Sequence, residues 1–253
     1  MRTGKSESKD YSKSTNAPAY AILSDGERPA PEAGTVLKLC RRKAGAANLL
    51  VVWDDGTAWK VPIAIALEKK LAKGMRLGAG ERSALWDAAQ RERALDMALR
   101  LISFKDRLSG EIERRLSQRG FSAAARAHAI GECRNRGLLD DEGIARRYAS
   151  QRLAMPGKGE RGVVADLAAR GLSLREAKEI VEALAGEREQ LDGAMKWLSR
   201  SGKKYADAIS RGEANAKQKL AAALARRGYK YEIIDRVFAR LSGRGEAVNA
   251  DED

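Results

Sequence analysis

Apolar residues recur at helical spacing through most of this chain, and one pattern of apolar and polar positions occurs three times. Each copy consists of Leu, two variable residues, Arg, Gly and a large apolar residue, at 116–121, 167–172 and 224–229. Their glycines are 51 and 57 positions apart, and neighbouring apolar positions recur at the same offsets. Self-similarity of this length is typical of stacked helical units, which usually provide binding surfaces.

Each copy is predicted to form a helix, a tight turn and a second helix, preceded by a leading helix. Ile112 and Leu116 are one helical turn apart, as are their equivalents in the other copies. The Arg suits the last turn of a helix, and the Gly suits the C′ position, which needs a positive φ. Ser122 and Ser173 are predicted N-caps, whereas Lys230 is a weaker start. The fold expected is mainly α: tandem three-helix repeats of helix-turn-helix type in an elongated array.

A different pattern precedes the repeats. Apolar residues at 36–39 and 49–53, a turn signal at 54–56 and alternation over 57–61 predict a small antiparallel sheet with a hairpin. Helix-like sequence follows at 64–73. A few strands are marginal alone, so we expect this segment to pack on a helix.

Composition and pattern together divide the chain. The first residues are polar and then Pro-rich, which is typical of a disordered tail. The predicted regions are a disordered tail at 1–33, a β-rich segment at 34–80, helical repeats at 81–138, 139–186 and 187–241, and an acidic tail at 242–253.

Charge and cysteine content indicate the class of partner and the compartment. The formal net charge is +13, and one Arg against four acids in the acidic tail leaves +16 on the rest. This charge favours polyanions or an acidic protein surface as partners, although charged helix faces that only keep the protein soluble are the alternative. Two distant cysteines predict neither a disulfide framework nor a zinc site. Neither a signal peptide nor a membrane span is apparent, so a cytoplasmic location is expected. No zipper or obvious dimerisation helix is apparent either, and a monomer is expected.

Catalytic chemistry is not predicted. Asp140, Asp141 and Glu142 are adjacent acids, but an N-cap followed by acids at the positive end of a helix dipole explains them better than a metal or acid–base site. His128 is the one histidine, and no motif gives it a catalytic partner. We therefore expect no enzyme, no cofactor and no metal.

Cations close to glycine are the candidate contacts to DNA phosphate or to acidic protein surface, because such loops approach phosphates closely. For any single one of them a solvated charge is the favoured explanation, but as a group we expect several to contact phosphate or acidic protein surface. The arginines that directly precede the three glycines are alternatively only helix caps. The candidate contacts are Arg114, Arg115, Lys158, Arg161, Lys203, Lys204 and Arg226.

The segment 137–152 resembles the signature of the RecX family: Gly, two apolar residues, Asp-Asp, two variable residues, Phe-Ala, then an aromatic residue and an Arg. Two departures are Ile144, where the family usually has Phe, and Gly143 at a helix start. Flanking motifs of the family are similar to 119–121, 157–159 and 226–229, and the resemblance covers roughly residues 91–241. The residues that match as structural signature are Gly120, Asp140, Asp141, Tyr148, Arg152, Gly171 and Gly228.

The resemblance implies a regulator of the RecA recombinase. Proteins of that family are tandem three-helix repeats that bind the RecA–DNA filament along its groove and typically inhibit ATP hydrolysis, strand exchange and coprotease activity. Implied partners are the RecA filament and, weakly and without sequence preference, single- or double-stranded DNA, in recombination, DNA repair and the SOS response. Two alternatives remain: a DNA-binding helical module or transcription regulator that acts without RecA, and a helical scaffold for another acidic protein.

Overall fold

A computed structural model describes residues 20–41, 43 and 45–243. The chain divides into two compact units: Met1–Ala94 with Arg119–Arg126, and Leu95–Gln118 with Ala127–Asp253. The residues of the first predicted repeat are therefore distributed over both units. The acidic tail lies outside the described residues from position 244 onward.

Helices dominate the described chain and follow a small N-terminal sheet. The strands are β1 (Ala21–Ile22), β2 (Gly34–Cys40), β3 (Asn48–Trp53), β4 (Thr57–Pro62) and β5 (Arg76–Leu77). The helices are α1 (Ile63–Glu68), α2 (Ala79–Phe104), α3 (Ser109–Gln118), α4 (Ala123–Asn135), α5 (Asp141–Leu153), α6 (Glu160–Ala169), α7 (Leu174–Glu182), α8 (Glu187–Arg200), α9 (Lys203–Ser210), α10 (Ala216–Arg226) and α11 (Tyr231–Leu241). The prediction of a mainly α fold with an N-terminal β-hairpin is confirmed.

The sheet has the strand order β1-β4-β3-β2-β5. Strands β2, β3 and β4 are antiparallel neighbours, as the alternating pattern predicts, and Gly56 takes a φ of 77° in the hairpin turn. Trp53 and Trp59 stack with ring centroids 5.2 Å apart, and Trp86 of α2 meets Trp59 edge-on at 5.1 Å. The sheet thus buries its aromatic face against the first turns of α2, as three or more strands with one apolar face require.

The predicted disordered tail at 1–33 is wrong for its last part. Strand β1 pairs with β4 in parallel, and the Ala21 and Leu23 amides donate to the carbonyls of Gly56 and Ala58 at 2.9 and 2.8 Å. Polar, Pro-rich composition does not reveal a two-residue strand whose partner lies 36 positions away. Residues 1–19 of the predicted tail lie outside the described residues.

The helix–turn–helix signals are confirmed at residue level. Gly120, Gly171 and Gly228 have φ values of 86°, 99° and 84°, the left-handed conformation that glycine adopts without strain. Ser173 and Glu176 form a capping box at α7, and Lys230 gives no side-chain cap to α11. One helix was not predicted: α9 occupies the extra residues of the third repeat, which therefore has four helices.

Candidate binding surface

Successive repeats in the second unit meet at a contact that we call a joint. In a joint, the N-terminal end of one repeat's second helix contacts the Arg-Gly-apolar turn of the next repeat. At the first joint, the start of α3 packs on the α6–α7 turn so closely that a Cβ at Gly110 would lie 2.5 Å from the Gly171 carbonyl oxygen. Two glycines are therefore needed for the backbones to touch.

Polar side chains complete the first joint. The Asp141 carboxylate accepts hydrogen bonds from the Ser109 amide at 2.7 Å and from its hydroxyl at 2.5 Å. Glu111 pairs with Arg170 at 3.1 Å, and Arg114 donates to the Ala169 carbonyl at 2.7 Å. Partial burial raises the pKa of Glu111, but the hydrogen bonds from Arg170 and the Leu108 amide lower it more, so the net shift is downward.

The second joint connects the start of α6 to the α10–α11 turn. The amides of Gly159 and Arg161 donate to the carbonyls of Arg227 and Gly228, both at 2.9 Å. The Glu160 amide donates to Gln190 at 3.2 Å, and its carboxylate pairs with the Lys230 ammonium at 2.5 Å. Backbone contact and a carboxylate–cation pair thus recur at both joints.

Tyr229, the apolar-position residue of the third copy, also belongs to the second joint. Its hydroxyl accepts a hydrogen bond from the Gly157 amide at 3.1 Å, and its ring is 1 % exposed. Burial disfavours the charged phenolate and raises the pKa of Tyr229 to about 12, despite that hydrogen bond.

Asp166 of α6 binds three side chains of the second repeat, two from α5 and one from the loop before α6. Its carboxylate accepts from the Lys158 ammonium at 2.8 Å, and from Arg152 and the Tyr148 hydroxyl at 3.3 Å. Partial burial raises the pKa of Asp166, but the hydrogen bonds from Lys158 and Arg152 outweigh it, so the pKa lies below its ordinary value. The guanidinium of Arg170 lies 4.6 Å above the Tyr148 ring.

The candidate cations therefore fall into two groups. Lys158 and Arg114 already bond to groups of the protein: Lys158, half-buried, to Asp166, and Arg114, itself exposed, to the Ala169 carbonyl. The others are exposed: Arg115 on α3, Arg161 on α6, Lys203 and Lys204 at the start of α9, and Arg226 at the end of α10. Among the described residues, no acid pairs with any of these five exposed cations.

The second joint brings some candidates together and leaves others apart. Lys158 and Arg161 lie on either side of Gly159 and Glu160, and the Gly159 amide donates to the carbonyl of Arg227, the residue that follows Arg226. These three candidates therefore converge at one joint. Arg161 also lies 5.8 Å from the Tyr231 ring, and Lys204 lies 5.2 Å from the Tyr205 ring. Arg114 and Arg115 belong to α3, at the first joint.

Two models of a known protein family match helical parts of this chain. The family model described as RecX, first three-helix domain, matches residues 94–133, and the third three-helix domain of RecX matches residues 189–238. The regulatory protein RecX of Mycobacterium leprae (strain Br4923) is 30% identical over 161 residues, which are 61% of this chain and 90% of that protein. This chain belongs to the RecX family. The RecX of Mycolicibacterium vanbaalenii is 31% identical over 163 residues, 61% of this chain and 86% of that protein.

Solved RecX structures have the same fold. A crystal structure of regulatory protein RecX aligns with a TM-score of 0.57 at 17% identity, covering 81% of this chain and 98% of that one. RecX from Lactobacillus salivarius aligns with a TM-score of 0.52 at 20% identity, covering 61% and 98%. These likenesses support the fold, and the relatives are named regulatory proteins.

In this member of the RecX family the signature residues have structural contacts. Asp140 caps α5 by accepting from the Gly143 amide at 2.8 Å, and Asp141 holds the first joint. A Cβ at Gly143 would meet the Asp140 side chain, so this departure from the family pattern accommodates the cap. Ile144 packs half-buried in the core of the second repeat.

The part of the chain that the structure describes contains no candidate metal site. No cluster of three or more His, Cys, Asp or Glu side chains there can hold a metal ion. His128 is exposed.

Within residues 20–41, 43 and 45–243, none of the helices combines the length and apolar character of a membrane span.

Three residues that organise the repeats were missed from the sequence. Asp166 and Gln190 lie next to apolar helical positions, where a polar residue gives no sign of its distant partner. Gly110 has a usable signal, since a glycine within the first turn of a helix often marks close backbone approach.

Proposed function

We propose that this protein binds the RecA–DNA filament and regulates it by inhibiting ATP hydrolysis and strand exchange, without catalytic activity of its own. The observation that carries this proposal is a set of five exposed candidate cations on a RecX-type helical array, for which the described residues provide neither an acid nor a carbonyl partner. Cations without an internal acid remain available to DNA phosphates or to acidic protein surface. We propose that the protein acts as a cytoplasmic monomer in recombination and DNA repair.

RecA ATP hydrolysis on single-stranded DNA tests the proposal directly, with this protein added well below one molecule per RecA. Inhibition at such ratios is expected if the protein blocks filament extension or promotes disassembly. Unchanged hydrolysis with a folded, DNA-binding protein would contradict the proposal.

Charge reversal separates the exposed candidates from the internally bound ones. We expect Arg161→Glu combined with Arg226→Glu to weaken filament binding at low salt while the protein remains folded. Lys38→Glu combined with Lys60→Glu is the matched control, because both lysines are exposed on the sheet and the charge change is equal. Equal binding by the two double variants would exclude the second joint as a contact surface.

Lys158→Glu should behave differently from Arg161→Glu. The new carboxylate would face Asp166, so we expect a loss of folding stability that makes weakened binding uninformative. Circular dichroism and urea unfolding therefore precede any binding measurement with this variant.

DNA binding without RecA is the second candidate function, favoured by the net charge alone. Salt-sensitive binding to random-sequence DNA, together with no effect on RecA, would support it. An effect that requires RecA distinguishes the filament regulator from both this module and a scaffold for another acidic protein.

A further inference from the structure

The first Arg-Gly-apolar turn, at Gly120, is covered by a segment from the N-terminal part of the chain. Asp25 and Gly26 lie against it, and a Cβ at Gly120 would be 2.6 Å from the Cα of Gly26. Arg28 holds the same segment to α2 through Ser83 and Asp87. The Gln90 side-chain amide of α2 donates to the Asp25 carbonyl at 2.5 Å, and its oxygen accepts from the Ser122 amide at 3.2 Å. All of these residues belong to the first unit.

This arrangement has the three components of the joints. In each, a side chain of the leading helix bonds to the incoming backbone: Asp141 to Ser109, Gln190 to Glu160, and Gln90 to Asp25. In each, glycines allow the incoming backbone to touch the turn.

The third component is a carboxylate beside the incoming glycine, paired with a cation of the receiving side. The incoming pairs are Gly110-Glu111, Gly159-Glu160 and Asp25-Gly26. Their carboxylates meet Arg170 at 3.1 Å, Lys230 at 2.5 Å and Arg93 at 2.6 Å. The cation comes from a different element each time, but the pairing of glycine and acid is constant.

The start of α10 provides the contrast. It is the second helix of the last repeat, and its first residues after Asn215 are Ala216 and Lys217, with neither glycine nor acid. In the described chain, no further Arg-Gly-apolar turn follows to receive it. Among the second helices, a glycine beside a carboxylate therefore lies at the start of α3 and α6, which cover turns, and not within the start of α10. The same pair also occurs away from the joints, as at Gly131-Glu132 and Gly212-Glu213.

The cation that pairs with Asp25 is not fully hydrogen-bonded in the described chain. Arg93 has a side chain only 8 % exposed, and one of its terminal nitrogens has no hydrogen-bond partner among the described residues. A guanidinium can bind a carboxylate with two parallel hydrogen bonds, whereas Asp25 is held by one short contact. A carboxylate placed differently would bind Arg93 more fully.

We propose that Gln90, Arg93, Gly120 and Ser122 form a docking socket for a glycine beside a carboxylate, and that residues 24–28 are its tethered, exchangeable occupant. The segment takes the place of a preceding repeat. A partner loop with the same chemistry would bind the socket once the segment leaves. This inference does not rest on the action on RecA.

Peptide binding to the full-length chain tests the socket. The probe is a blocked synthetic peptide of residues 23–28, Leu-Ser-Asp-Gly-Glu-Arg, added to ¹⁵N-labelled protein. The variant Asp25→Lys places a cation opposite Arg93 and should weaken the tethered occupant. Glu32→Lys is the matched control, an exposed residue with the same charge change.

The expected result is a saturable shift of the Gly120 and Ser122 amide resonances in Asp25→Lys. Wild type and Glu32→Lys should need at least about tenfold more peptide than Asp25→Lys to reach the same shift. In these two proteins the peptide must compete with the tethered segment, which a short tether supplies at about millimolar effective concentration. A peptide with Lys in place of Asp should shift neither resonance. RecA is absent from this measurement, so its outcome is separate from that of the proposed function.

Two results would overturn the proposal: no response of folded Asp25→Lys to about 10 mM peptide, a concentration above the expected effective concentration, or equal responses of variant and wild type. If Asp25→Lys does not fold, Asp25→Ala removes the carboxylate without adding a cation. The same peptide titration then applies, with the same two overturning results.

Discussion

Single glycines in this protein are needed for two separate reasons, a positive φ and close contact between backbones. Gly171 combines both, whereas Gly110 has an ordinary helical φ and lies against the Gly171 carbonyl. A methyl group at Gly110 is compatible with its own backbone but not with its neighbour. Substitutions at such positions therefore report on the joint rather than on helix propensity.

Gly110→Ala is expected to destabilise the protein by about 1–3 kcal/mol, the usual effect of forcing an extra carbon into a packed contact. Gly131→Ala is the matched control, since its Cβ would meet nothing within 4 Å inside α4. That change should stabilise by about 0.5–1 kcal/mol through helix propensity. Urea unfolding measures both, and equal signs would contradict the steric explanation.

Tyr229 gives the second joint a pH dependence. Because its pKa is raised to about 12 in the folded protein, against an ordinary value of 10.0, the folded state keeps the proton that the unfolded state loses. The corresponding stability is present below pH 10 and is lost as the pH rises towards 12. A shift of that size corresponds to about 2.7 kcal/mol.

The variant Tyr229→Phe should lack this alkaline loss. At neutral pH it should be less stable by about 1 kcal/mol, since the Gly157 amide loses its acceptor. Between pH 9.5 and 11.5 the difference between variant and wild type should shrink or reverse, as followed by urea midpoints. A constant difference over this range would show that the phenol does not carry the effect.

At the scale of helices and strands, local sequence decides most boundaries. The capping box at α7 is an example, because Ser173 and Glu176 satisfy amides of the first turn without help from elsewhere. Ser173→Ala should therefore destabilise by about 1 kcal/mol. Ser199→Ala, an exposed hydroxyl bonded within α8, is the control and should change the unfolding midpoint little.

The elements that sequence did not predict depend on distant partners. The hairpin β3–β4 and the turns at Gly120, Gly171 and Gly228 have signals within a few residues, so they were predictable. Strand β1 is two residues long and exists through its pairing with β4. The joints likewise unite residues 30 to 72 positions apart, such as Glu160 with Gln190 and Gly157 with Tyr229.

The candidate site shows the same division between local and distant information. Proximity to glycine selects Arg161 and Arg226, which are exposed in the folded chain, and their contacts to DNA or protein stay a prediction. It also selected Lys158, whose ammonium is held by Asp166 eight positions later. Spacing along the chain identifies a cation near a turn, but only the folded chain shows whether an acid has already bound it.

For the whole molecule, this division determines how DNA affinity should depend on salt. Each cation that neutralises a DNA phosphate releases a counterion, so removing one lowers the slope of log K against log salt by about 0.7 on single-stranded DNA. Arg226→Ala should reduce the slope by this amount if Arg226 contacts phosphate. Lys158→Ala should leave the slope unchanged, because its ammonium already neutralises Asp166, and should lower folding stability instead. Fluorescence anisotropy over a salt series measures both slopes, and a steeper loss for Lys158→Ala than for Arg226→Ala would reverse the assignment of exposed and internal cations.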